Sequence, residues 1–129
     1  MSDSEQNSMG STIVAGLIGG GIAAAINLVI YFIVGPLNVA QAGGPIAPIT
    51  LIPILIASIV AAIFAAVFLW LLRRFTGNGT RIFQIVGVIF LLLSLAGPLT
   101  SAETTGIALS LSLMHVVTGG AIIWSLTMR

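Results

Sequence analysis

Charge is nearly absent from this chain of 129 residues: Asp, Glu, Lys and Arg together make up 5%. A water-soluble domain carries about 25% charged residues, because polar side chains are what cover a surface facing water. Here 58% of the residues are hydrophobic and the mean hydropathy is +1.22. As a monomer in water such a chain would precipitate, so an integral membrane protein is the class that fits. Cysteine is missing, which removes disulfides, thiol redox chemistry and thiolate metal ligands together and leaves the compartment open. Lysine is missing too, and the cations are Arg73, Arg74, Arg81 and Arg129. A formal charge of +1 provides no clustered basic face of the kind nucleic acid needs, so no nucleic-acid partner is expected.

What the chain has instead is long apolar runs. A spanning helix needs about 20 mostly apolar residues, and four segments qualify, over about 12–35, 51–72, 82–99 and 107–128. Lipid offers the backbone no hydrogen-bond partner, so each must be helical. Thr50 precedes the second run as a cap and puts Pro53 in the first turn, where its missing N–H costs nothing. Pro98 is expected to end the third. TGNGT at Thr76–Thr80 and SAETTG at Ser101–Gly106 are short returns between antiparallel neighbours. The expected fold is therefore an all-α antiparallel bundle of four transmembrane helices, residues 12–129. It is preceded by a disordered, weakly acidic cytoplasmic tail, residues 1–11.

Orientation follows from the arginines. If the N-terminus is inside, Arg73, Arg74, Arg81 and Arg129 all fall on the inner side, which places both termini in the cytoplasm of a cell (inner) membrane. Trp70 and Trp124 then sit near the inner ends of their helices, where amphipathic rings prefer to lie. Ala40-Gln41-Ala42 has the small-x-small form of a signal cleavage site. The first apolar run is too long for a signal peptide and no cation precedes it, so retention is expected. The uncharged stretch Pro36–Thr50 is expected to form an irregular cap over the outer end.

Helices in lipid gain little from burying more hydrocarbon, so small residues that let backbones approach carry the packing. Gly16, Gly20 and Ala24 recur every four residues on the first helix, and Asn27 and Tyr31 continue that face. Ser58, Ala62 and Ala66 repeat the spacing on the second, and Gly87 and Ser94 share a face of the third. Ala108, Ser112, His115 and Gly119 form a stripe on the fourth. The same small faces suit a homo-oligomer or a larger membrane complex as well as an intrachain bundle.

LLRRFT (Leu71–Thr76), RIF (Arg81–Phe83), LLSLAGPL (Leu92–Leu99) and LMH (Leu113–His115) occur in this order. The chain thereby resembles a family of short bacterial four-helix membrane proteins described only as a domain of unknown function. The resemblance covers nearly everything after the tail. It implies a four-span integral membrane protein and brings no activity, cofactor or site residue. Small multidrug exporters fit less well, since they need a carboxylate where the first helix here has Asn27. Dual-topology fluoride channels have a weak arginine bias, unlike this chain. Vitamin K reductase-like enzymes need paired cysteines, which are absent.

Intramembrane ionisable groups are costly and therefore functional candidates. This chain has one, His115. No acid accompanies it, so a triad, a two-carboxylate hydrolase and a multi-residue metal site lack support, and neither enzyme activity nor a metal or cofactor is expected. Met114 points about 100° away around the helix and cannot serve as a second axial haem ligand. Three readings stay open. The first is a non-enzymatic accessory or scaffold subunit in which His115 is a neutral, hydrogen-bonded interior ring. The second is a small-solute transporter or channel with its site near His115 and Asn27. The third is a haem- or pigment-binding redox subunit. Counting inward at about 1.5 Å per residue puts Asn27, Ser58, Ser94 and His115 at depths of about 10, 10, 9 and 12 Å. A shared polar layer is expected, with His115 bonded to Asn27 or Ser94. For the tail, deleting Ser2–Asn7 is expected to leave the yield of membrane-inserted protein unchanged; a large loss on fractionation would show that the tail targets or docks.

Overall fold

In the computed structural model the described residues are 4, 7–41 and 43–128. Residues 1–3, 5 and 6 of the tail, Ala42 of the cleavage-like tripeptide and Arg129 lie outside them. Four helices are long and apolar enough to cross a membrane.

The first, α1, runs over Met9–Val34. It begins earlier than the apolar run because Ser8 is a true N-cap: its hydroxyl oxygen accepts from the Ser11 N–H at 3.1 Å. The Thr12 hydroxyl donates back to the Ser8 carbonyl at 2.8 Å. Residues 9–11, expected in the tail, are thus helical. Gly35, at φ 83°, ends the helix in a conformation that side chains disfavour, and Pro36 follows.

The loop expected to be an irregular cap, Pro36–Thr50, is more regular than expected. β1 (Asn38–Ala40) and β2 (Ile46–Pro48) pair antiparallel with Asn38 opposite Pro48 and Ala40 opposite Ile46. Gly43 supplies the positive φ, 73°, that the turn requires. Val39 also bridges to Ala102 on the return between the third and fourth spans. Glu103 is tied to Asn38 twice, through its N–H to the Asn38 carbonyl and through its carboxylate from the Asn38 amide at 2.9 Å. Leu37 and Val39 hang from this hairpin into a cluster with Leu111 and Met114, sealing that end of the bundle.

Helix α2 (Leu51–Phe75) carries Arg73 and Arg74 in its last turn, where cations oppose the dipole. The third span corrects the sequence expectation. It is α3 (Gly79–Ser94), a break at Leu95, and a short α4 (Ala96–Ser101). Pro98 has no N–H for the Ser94 carbonyl four residues back. The ladder tightens at Leu95, whose N–H bonds Leu92 at 3.3 Å, and resumes with Leu99 bonded to Leu95. Pro98 therefore bends the span instead of ending it. Helix α5 (Thr105–Thr127) starts at Thr104, whose hydroxyl accepts from the Ile107 N–H.

Helix α1 packs chiefly against α2 and α5, and α3 completes the bundle from the far sides of those two. Small side chains fill the core beside α1, where Ala15, Ala23, Ala62 and Ala66 are all buried, and Leu69, Phe83, Ile122 and Leu126 are buried with them. Many other large side chains point outward, with Phe32, Phe64 and Phe90 at least 70% exposed, as expected where the outside solvent is hydrocarbon. Backbone contact is close. A Cβ on Gly16 would stand 2.8 Å from the Ala62 carbonyl oxygen and 2.9 Å from the Ala66 Cβ, and one on Gly20 would stand 2.7 Å from the Ala62 Cβ. Gly19 meets Ser125 of α5 more tightly still.

Gly16→Ala should therefore force α1 and α2 apart and cost about 1–3 kcal/mol. Gly21 has nothing within 4 Å of such a Cβ, so Gly21→Ala should be neutral or stabilising by up to about 1 kcal/mol. Unfolding by denaturant in mixed micelles checks both, and equal effects would refute the packing assignment.

Candidate functional site

Two polar regions stand out: a seam inside the bundle and a cleft at its arginine-bearing end. The seam centres on Asn27, only 3% exposed, on the small face of α1. Its amide nitrogen donates to the Thr118 hydroxyl of α5 at 2.8 Å and to the Ser58 hydroxyl of α2 at 3.4 Å. Ser58 donates in turn to the Ile54 carbonyl of its own helix. One side chain thus links the three most closely packed helices. The amide oxygen Oδ1 is buried and unpaired, as is the Ser112 hydroxyl. Turning the amide over would pair its oxygen with Thr118 and leave its nitrogen without that partner.

His115 does not join this group. Its Nδ1 lies 2.9 Å from the Leu111 carbonyl, and a carbonyl only accepts, so Nδ1 carries the proton of this bond. The ring is half-buried. Ser94 stays apart as well, its hydroxyl donating to Leu91 of its own helix at 2.7 Å. In place of the expected bond between His115 and Asn27 or Ser94, the Asn27 amide donates to Thr118, a turn further along α5. The cause is an offset between helix ends. The first turns of α5 run alongside the hairpin cap, with Ile107 and Leu111 beside Leu37 and Val39, so they stand further out than the end of α1. Counted from Ile107, Thr118 is about 16 Å along its helix, yet it meets Asn27 at about 10 Å.

The other expected residues sort into two groups. Gly16, Gly20 and Ala24 lie on the buried face of α1. Gly87 faces Ile123, and Gly119 faces Leu91, at distances that leave a side chain little room. Arg73, Arg74 and Arg81 line one cleft of about 870 Å³ with Trp70, Thr80 and Gln84. Arg73 is held in place: Nε donates to the Thr80 hydroxyl at 3.1 Å and Nη2 to the Leu126 carbonyl at 3.3 Å. It therefore joins α2, α3 and one of the unsatisfied last carbonyls of α5. Arg74 stacks over the Trp70 ring at 5.6 Å.

A family model, that of a family of unknown function named DUF6069, matches residues 7–129. The chain belongs to the DUF6069 family. No curated protein and no solved structure matches it. In this DUF6069 protein, no three His, Cys, Asp or Glu side chains come together as a metal site among the described residues.

Thr118, Gly19 and Ser125 were not singled out in the sequence. Thr118 carried a usable signal, since it lies one turn from His115, but depth counting pointed past it. Gly19 was hidden within a run of glycines whose face only the packing defines.

A double-mutant cycle tests the seam. Asn27→Ala with Thr118→Val should show a coupling of about 0.6–1.7 kcal/mol in unfolding free energy. Asn27→Ala with His115→Ala should be additive within about 0.5 kcal/mol. The reverse ranking would place His115 back in the seam.

Proposed function

We propose that this four-span membrane protein is a non-enzymatic accessory or scaffold subunit, seated in a cell (inner) membrane with both termini cytoplasmic. The observation that carries the reading is the closeness of the Asn27 seam. Asn27 and Ser58 are 3% and 2% exposed, and their hydrogen bonds run to neighbouring helices or to their own backbone. Polar groups spent on joining helices hold a shape; they do not present an acid, a base or a nucleophile to a substrate. The rigid bundle then offers its lipid-facing surface, and its two polar ends, to another membrane component or to a second copy of itself.

The buried, unpaired Asn27 Oδ1 and Ser112 Oγ favour the second reading, a small-solute pathway past His115 and Asn27. Close approach of α1 to α2 at Gly16 and Gly20 weighs against it, because a pathway needs room. The one-sided arginines support the orientation.

Two measurements test this. Proteoliposomes containing the purified protein should be no more permeable to small neutral solutes than protein-free vesicles. Solute-dependent swelling that His115→Ala or Asn27→Ala abolishes would overturn the scaffold reading in favour of transport. Reporter fusions at the C-terminus and within residues 76–80 should behave as cytoplasmic, and an external signal at either would reverse the topology.

A further inference from the structure

The cleft at the arginine end has features that helix packing does not require. It is about 870 Å³ in volume, within the range of sites that hold small organic groups. Arg73, Arg74 and Arg81 converge on it from the last turn of α2 and the first turn of α3, and among the described residues that line it none is a carboxylate. Glu103, the only described residue with a carboxylate side chain, is occupied at the opposite end of the bundle by Asn38. The first turn of α3 contains no acid and carries Arg81 instead, and Asn78 does not cap it with its side chain. The helix start thus adds its own N–H groups to the cationic lining instead of offsetting it. Arg73 is fixed by Thr80 and Leu126, and Arg74 is laid on Trp70. Two of the three guanidinium groups therefore already have protein partners that position them.

We propose that this cleft is a binding site for a phosphate group, with Arg74 and Arg81 as its fork-shaped donors and Arg73 as the fixed cation at its base. Planar guanidinium groups match the oxygens of a phosphate in pairs, which an ammonium cannot do. Phosphate of this kind reaches the cleft from two sources, the headgroup of an anionic phospholipid or a soluble phosphorylated molecule. Position favours the lipid. Leu71 and Leu72 lead directly into Arg73, and Trp70 lies one turn before Arg74, so the cleft opens where hydrocarbon gives way to headgroups.

The test uses the full-length protein carrying Trp124→Phe, which leaves Trp70 as the one tryptophan. Trp70 emission is followed in nanodiscs of phosphatidylcholine as phosphatidylglycerol is admixed, and separately as glycerol phosphate is added to the phosphatidylcholine discs. Saturable change with phosphatidylglycerol is expected, weakened roughly five- to tenfold for each arginine replaced in Arg74→Gln and Arg81→Gln. Arg74→Lys/Arg81→Lys keeps the charge but not the forks, and it should lose most of the affinity. Saturation by glycerol phosphate alone, with the same sensitivity to both glutamines, supports the site with a soluble ligand. No saturable response to either probe, or a response that the glutamine variants leave unchanged, overturns the proposal. Full affinity in the double-lysine variant overturns it too, reducing the cleft to general attraction between cations and an anionic surface.

Discussion

Hydrocarbon outside the bundle gives its helices no reason to associate through Leu or Phe, and everything else in this molecule depends on how that is overcome. The solution is α1. Its glycines and alanines bring its backbone against α2 on one side and α5 on the other, close enough that a single added methyl group at Gly16 or Gly20 would collide with Ala62. Dispersion between atoms at that separation, summed over three helices, takes the place of the hydrophobic effect. Asn27 can hold its two hydroxyl partners only because the small residues around it let the helices come so near.

The two ends are closed by different chemistry. At one end, a hairpin stitched to Ala102 and Glu103 lowers Leu37 and Val39 onto the bundle and pairs the backbone of the loop with itself. At the other, Arg73 reaches across to Thr80 and the end of α5. The hairpin closure is mostly backbone and apolar, while the arginine closure is cationic. That asymmetry gives the molecule one end suited to anionic groups and one that is nearly neutral.

The third span is the loosest member. Only Gly79 and Phe83 are buried in α3, and its break at Leu95 lets α4 turn Pro98 inward while the remainder faces lipid. A helix held at few points is the one most easily repositioned by a partner in the bilayer.

The sequence alone determined the class, the four spans and the small-residue faces, because length, hydropathy and spacing are properties of each helix taken singly. The caps at Ser8 and Thr104 and the bend at Pro98 are also local chemistry, although the bend reads as a stop until the following residues are seen to resume the helix. Which polar groups meet was decided only by tertiary structure. Asn27, Ser58, Ser94 and His115 lie at similar counts from their helix ends, but those ends are not level: α5 projects beside the hairpin cap past the end of α1. That offset hands Asn27 to Thr118 and leaves His115 to its own helix. Relative height is set by how the whole bundle packs, and no single helix carries that information.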